Sequence, residues 1–512
     1  MNRWVAYRES QGHGIRIVPS TLNAESLRAA IRSTAASGKL RYVLLVGDAD
    51  PASRSDAEVR RRSVPTHYAA AKVNVRWGSE PEIATDNWYA DLDDDELPDV
   101  AVGRLTADNA AELSGMLDKV LAYERSDNRG DWQRRVNIVA GAGGFGAVLD
   151  SLLETVSKEF LTEGIPPAYE TTMTYGSWRS PFCPDPRQFQ DIVRGRLNEG
   201  SLFWVYIGHS RITALDQVRI GDREYHVLGN QDIGLLERSG GAPIALFLSC
   251  YTGAFDATRD SLAENLLRSP EGPVAVYCGS RVTMPYAMAS MSVALLEEYF
   301  VSERKTLGEL VLNAKRKMAE PSVATPGSHG GRPWLDTVAQ GIYANQEQLR
   351  QERVEHVLLF NLLGDPLLTL RHPGELQMSV PDDAAAGEKV TVTGQADVDG
   401  ELTVELVNPH GRMRHQLPRR ESPPAEESEM AGCNRVYFDA NEQRWSAETV
   451  HCKAGAFRVD LAIPADASGA CFVRAYLDSP KGSFLASAPV AIRGAKDPVI
   501  RMADAPAAPR RK

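Results

Sequence analysis

Apolar and polar positions along this chain fall into three regimes. Between residues 132 and 372, apolar runs of strand length (Arg135–Ala140, Leu202–Ile207, Pro243–Ser249, Pro273–Tyr277) alternate with stretches of helical periodicity. The helical stretches are Val148–Phe160, Pro186–Asn198, Ser261–Arg268 and Ser290–Tyr299. Runs that are apolar throughout, rather than at every second residue, predict strands buried on both faces of a mainly parallel sheet. Residues 1–126 read as a smaller α/β unit, with strands at Arg41–Asp48 and Asp99–Arg104. A helix there carries Leu113, Met116, Leu117, Val120 and Leu121 on one face. The segment Trp4–Arg16 reads as a helix feeding a strand at Ile15–Val18. An α/β layer that opens this way predicts a natural start upstream, with a further strand and a secretion signal. Beyond residue 376 the helical pattern stops. Lys389–Thr393, Leu402–Val407, Phe457–Ile463 and Cys471–Leu477 alternate or run apolar between Gly, Asp and Pro, which predicts a separate all-β sandwich.

The expected division is therefore 1–126, 127–373 after a polar linker at Arg125–Asp131, 376–495, and a disordered Ala/Pro-rich tail at 496–512. A length of 512 residues exceeds what one compact core holds. The net charge of −11, with no basic run longer than Arg60–Arg62, argues against a nucleic-acid partner. The longest apolar runs fall far short of the roughly 20 residues that span a bilayer. Six cysteines do not make a disulfide scaffold; Cys433 and Cys452 flank an insert-like stretch and are candidates to pair, a connectivity that sequence alone does not decide. No zinc-ligand spacing occurs.

Chemistry enters at two strand ends. In an open parallel sheet, ligands bind beyond the carboxyl ends of the strands. Ser201–Ile207 delivers Gly208-His209 there, and Ala242–Ser249 delivers Cys250. One crossover between them would set the strands side by side and turn both tips into one cleft. A thiolate nucleophile needs a partner that titrates near neutrality, and imidazole is that partner. Backbone N–H groups of the Gly208-His209-Ser210 turn are candidate oxyanion donors. A competing motif, Gly141-x-Gly143-x-x-Gly146, fits a dinucleotide fingerprint. Its would-be ribose acid, Glu170, lies well beyond the usual spacing of ~20 residues, and a tight strand–helix turn accounts for the glycines. Asp91-x-Asp93-x-Asp95 opens like a calcium loop, but Glu96 and Val102 stand where an EF-hand needs Gly and Glu. An irregular oxygen-ligand site and a solvated acidic turn remain the two readings.

Gly208-His209 followed by Ser249-Cys250-Tyr-Thr-Gly253-Ala-Phe255 resembles the catalytic blocks of the gingipain-type cysteine peptidases. Tyr42–Asp48, Val64–Tyr68, Thr85–Tyr89, Ala101–Leu105 and Lys119–Glu124 are similar to that family's N-terminal subdomain. Phe360–Leu370 is similar to its last catalytic strand. The resemblance implies a caspase-like three-layer α/β sandwich, a preceding smaller α/β subdomain and a following immunoglobulin-like domain. It implies a secreted or cell-surface endopeptidase acting on proteins or peptides, with Cys250 attacking the scissile carbonyl and His209 protonating the departing amine. No cofactor is required, and calcium, which gingipains also hold, is a candidate structural ion. Ser210 stands where the family has Gly. The loop after Arg135–Ala140 has no acid before Asp150, so the candidates to support the histidine are Asp86 and Asp150, or the pair works as a dyad. Arg281, Met284 and Tyr286 fall where the family walls its S1 pocket, without fixing a P1 residue. The rival implications are a transpeptidase using the same two side chains, and a catalytically silent adhesion or assembly protein.

Overall fold

The computed structural model describes residues 1–494 apart from 20–21, 126, 142–163, 221, 323–330, 343–345 and 425. The expected helix Val148–Phe160, Asp150, most of the 141–146 glycine loop and the 496–512 tail lie outside the described residues. Eight strands make one sheet: β1 (Tyr42–Val46), β2 (Ala101–Leu105), β3 (Arg135–Ala140), β4 (Glu170–Tyr175), β5 (Phe203–Ile207), β6 (Ile244–Leu248), β7 (Ala275–Gly279) and β8 (Phe360–Leu363). Their spatial order is β1-β2-β8-β7-β6-β5-β3-β4. All neighbours are parallel except β7 and β8. The sheet is thus two parallel blocks, of three and five strands, running in opposite directions and meeting at one antiparallel seam.

That arrangement revises the expected separation of residues 1–126 from residues 127–373, because β1 and β2 extend the same sheet. The junction is narrow, with Leu363 of β8 opposite Arg104 of β2. Backbones come so close that a Cβ on Gly103 would lie 2.5 Å from the Gly364 carbonyl oxygen. Only glycine permits this approach.

β5 and β6 are buried at every residue. Their side chains alternate between two cores, as strand geometry requires. Phe203, Val205, Ile207, Ile244, Leu246 and Leu248 face helices Pro285–Phe300 and Leu307–Ala319. Trp204, Tyr206, Ala245 and Phe247 face helices Phe189–Asn198 and Leu262–Arg268. Three layers result, with the central strands dry on both sides.

The C-terminal region builds a six-stranded and a three-stranded sheet around a core of its own. It is not all-β. Helix Glu427–Asn441 interrupts it and lies on the edge strand β4, where the Thr174 and Tyr437 hydroxyls bond at 2.9 Å and Asn441 accepts the Met173 N–H at 2.7 Å. Its buried face is only Met430, Cys433, Tyr437 and Ala440, a stripe too thin to announce a helix. Below it, Glu405 of strand Gly400–Val407 takes Arg134 at 2.8 Å and Arg474 at 2.6 Å, all three buried.

One further expectation changes, and the open question of the cysteines is answered. Helix Asn2–Ser10 forms, but Ile15–Val18 has no strand partner and stays irregular, with Ile17 72% exposed. All six cysteines are unpaired. Cys433 lies on the helix, its thiol donating to the Glu429 carbonyl, while Cys452 closes strand Arg444–Cys452.

Candidate active site

Strands β5 and β6 pair in register from Phe203↔Ile244 to Ile207↔Leu248. His209 and Cys250 each lie two residues past that last pair, at the same edge of the sheet, and both are half-buried. A direct bond joins the two loops, the Ser210 hydroxyl donating to the Cys250 carbonyl. Below them, the Tyr206 hydroxyl donates to the His209 carbonyl at 2.6 Å and accepts the Asp216 N–H at 3.3 Å. Burial, then the Asp216 carboxylate and the Cys250 thiol, push the Tyr206 phenol up, so it stays a neutral donor. Gly208 fits because a Cβ there would meet the Tyr206 hydroxyl at 2.9 Å and Gly141 at 3.0 Å. Its N–H reaches the Leu248 carbonyl at 3.4 Å.

The Cys250 sulfur is held by Thr283, whose N–H donates to it at 3.3 Å and whose hydroxyl lies at 3.5 Å. A neighbouring wall comes from the turn Asn74–Trp77: the Asn74 amide donates to the Val282 carbonyl. The buried Glu355 carboxylate accepts three successive N–H groups, of Lys72, Val73 and Asn74, at 2.6–2.8 Å. Tyr251, next to Cys250, has φ 57 and donates its hydroxyl to Glu80 at 2.9 Å. Cys278, at the end of β7, is fully buried, and burial pushes its thiol up. That removes it from contention as a nucleophile.

The other candidates from the sequence disperse. Asp86 is not free to orient His209. Both its oxygens take the buried Arg104 guanidinium at 2.7 Å, and Thr66 adds a third bond. Asp150 lies outside the described residues. Arg281 does not face an open pocket: its guanidinium grips Asp256 at 2.8 and 2.6 Å with the side chain 8% exposed. Tyr286 is fully buried, donating to Asp336 at 2.5 Å and accepting from Arg353 at 2.7 Å. Met284 is buried too, its N–H donating to His356 at 2.7 Å. Thr283, Tyr206 and Asp216 are the neighbours that sequence reasoning missed. Nothing in their local pattern sets them apart, because the sheet and its loops bring them together from distant positions.

Two acidic clusters offer oxygens to a cation. Asp91 and Asp93 gather with Asp99, rather than with Asp95, their ligand oxygens within 4.8 Å of one another. Asp95 instead accepts the Leu97 N–H at 2.8 Å. Asp48, Asp108 and Asp260 form the second cluster. Arginines lie at both: Arg268 at 2.7 Å from Asp260 and 3.2 Å from Asp108, and, at the first, Arg316 at 2.5 Å from Asp99 and Arg28 at 3.4 Å from Asp91.

A family model described as peptidase family C25 matches residues 1–371. Gingipain R2 of Porphyromonas gingivalis is 22% identical over 361 residues, covering 68% of this chain and 40% of that protein. Gingipain R1 of the same organism is 22% identical over 388 residues, covering 73% of this chain and 32% of the relative. The matched part of the chain thus spans two fifths or less of these relatives' own length. A crystal structure of the Arg-specific cysteine proteinase gingipain R superposes with a TM-score of 0.47 at 16% identity, covering 93% of this chain and 90% of that one.

Proposed function

The chain belongs to peptidase family C25, and from that premise we propose that it is a cysteine endopeptidase cutting protein or peptide amide bonds through Cys250, with His209 moving the proton. The observation that carries this reading is the pairing of β5 with β6, which sets His209 and Cys250 at equivalent positions beyond one sheet edge, bridged by Ser210. In the proposed cycle the Cys250 thiolate attacks the scissile carbonyl and the C–N bond breaks as His209 protonates the leaving amine. The resulting acyl-thioester is hydrolysed by water that gives its proton back to His209. Tyr206 supports the histidine by fixing its backbone carbonyl, and Thr283 fixes the sulfur. Ser210 is the proposed oxyanion donor of the turn, in place of Gly208, whose N–H already meets the Leu248 carbonyl at 3.4 Å.

Two finer assignments belong to the same reading. Secretion or a cell-surface location suits relatives of this kind, and the two-sheet C-terminal region is assigned as an immunoglobulin-like sandwich. No helix among the described residues is long and apolar enough to cross a membrane. A structural calcium ion is assigned to Asp91, Asp93 and Asp99, whose hard oxygens suit it in kind. Millimolar calcium is expected to raise the melting temperature of the wild type and not of Asp93→Asn; equal shifts, or none, would refute the assignment.

A fluorogenic peptide library tests the activity itself. Wild type is expected to cleave a subset of its members, and Cys250→Ala none. Cleavage that survives in Cys250→Ala, or absence of cleavage by both, would overturn the reading.

A further inference from the structure

Tyr251 is one of four residues other than glycine with positive φ among the described residues, and it directly follows the nucleophile. A tyrosine visits the left-handed region only when its surroundings impose it. The turn is held in part by its own and neighbouring backbone, with the Gly253 N–H on the Gly279 carbonyl at 3.0 Å and the Ala254 N–H on the Tyr251 carbonyl at 3.1 Å, and in part by Arg281. The Arg281 carbonyl accepts the Tyr251 N–H at 3.1 Å. The Arg281 guanidinium takes Asp256 in a two-pronged ion pair, at the far end of the loop that Tyr251 opens. A single residue therefore ties down both ends of the Tyr251–Asp256 turn. Arg281 is itself anchored, through Nε to the Glu82 carbonyl at 2.9 Å and through Nη1 to its own neighbour's carbonyl, Ser280, at 2.8 Å. Glu80, 3.7 Å from Arg281, accepts the Tyr251 hydroxyl. Two residues past Arg281, Thr283 donates to the Cys250 sulfur.

We propose that Arg281, with Asp256, is a positioning residue of the peptidase: it holds Tyr251 left-handed and so aims the Cys250 thiol at a bound peptide. The proposal rests on the reading of Cys250 as nucleophile, and it gives Arg281 a role other than lining a specificity pocket. It predicts a particular rescue. Glycine adopts positive φ without assistance, so a glycine at 251 should make the clamp dispensable.

The test measures how fast Cys250 in the full chain is alkylated, by intact mass and peptide mapping, with a peptidyl chloromethyl ketone and with iodoacetamide. Arg281→Met is combined with Asp256→Asn, so that no unpaired buried charge remains to unfold the protein, and circular dichroism confirms the fold. The expected result is a loss of about tenfold or more with the peptidyl reagent, against less than about threefold with iodoacetamide, which needs no alignment. Adding Tyr251→Gly to that pair should bring the peptidyl rate within about threefold of the Tyr251→Gly single variant. An undiminished rate in the Arg281/Asp256 pair, equal losses with both reagents, or a loss that Tyr251→Gly does not recover would overturn the positioning role while leaving the nucleophile intact. A double variant that fails to fold while Tyr251→Gly restores folding but not rate would overturn it as well. A wild type whose Cys250 resists the peptidyl reagent would overturn the peptidase reading itself, and this role with it.

Discussion

At the scale of single residues, the groups proposed to touch the substrate are distinct from those that hold them still. His209→Ala should lower kcat by about 10²–10⁴ with KM changed only a few-fold, since it removes proton transfer and little binding; steady-state kinetics on a peptide found in the library will show it, and an unchanged kcat would exclude His209. Tyr206→Phe deletes the hydroxyl on the His209 carbonyl and should reduce kcat more modestly, without touching the thiol. Asp86 makes the opposite prediction. Because its carboxylate neutralises the buried Arg104, Asp86→Asn should cost on the order of 3–5 kcal/mol of stability in a denaturant melt, whereas a catalytic partner of His209 would cost rate instead. Cys250 and His209 stand out in the sequence because each follows an uninterrupted apolar strand behind a small residue, and the structure brings those two strand ends side by side. Arg281 and Tyr286 were expected to wall a pocket, but a residue's place in a segment says nothing about which way its side chain turns. Arg281 turns inward to Asp256, and Tyr286 into the helix layer.

At the scale of elements, the strands that carry the site were the easiest part to read. β3 runs over the expected residues, β5 starts one residue later than expected, and β6 is one residue shorter at each end. Burial on both faces writes a continuous apolar signature that no competing structure would use. What was illegible is relational. Nothing in β1 or β2 announces that they join β8, or that β7 and β8 run antiparallel, because pairing partners far apart in sequence leave no periodic trace. Helix Glu427–Asn441 was missed for the same reason, since its few apolar positions gain meaning only against β4. The β2–β8 junction yields a prediction. Gly103→Ala drives a methyl group toward the Gly364 carbonyl and should destabilise by about 1–3 kcal/mol or more; an unaltered melt would show the two blocks to be less tightly joined.

At the scale of the whole molecule, buried ionisable groups couple stability to pH. Burial holds His356 and His410 down at about 4, and each makes bonds consistent with a neutral ring. The unfolded chain binds those protons near pH 6.5 and the folded one only near 4, so their contribution is present above about 6.5 and lost as pH falls toward 4. Burial alone would raise the Glu405 carboxyl, but Arg474 and Arg134 outweigh it and hold it at about 2. Its contribution, on the order of 3 kcal/mol, is full above its unfolded value and lost as pH falls from about 4.5 to 2. Calorimetry between pH 7 and 2 should therefore show a two-stage decline, the lower stage flattened in Glu405→Gln, while a melting temperature constant down to pH 4 would contradict the buried histidines. The central claim is that one sulfur at the carboxyl end of β6 takes the acyl group of a peptide. Rapid acid quench of the protein with an activated peptidyl ester, followed by peptide mapping, tests it most directly: the account predicts the acyl mass on the Cys250 peptide, and acyl transfer to Cys278 instead, or to no cysteine, would contradict it.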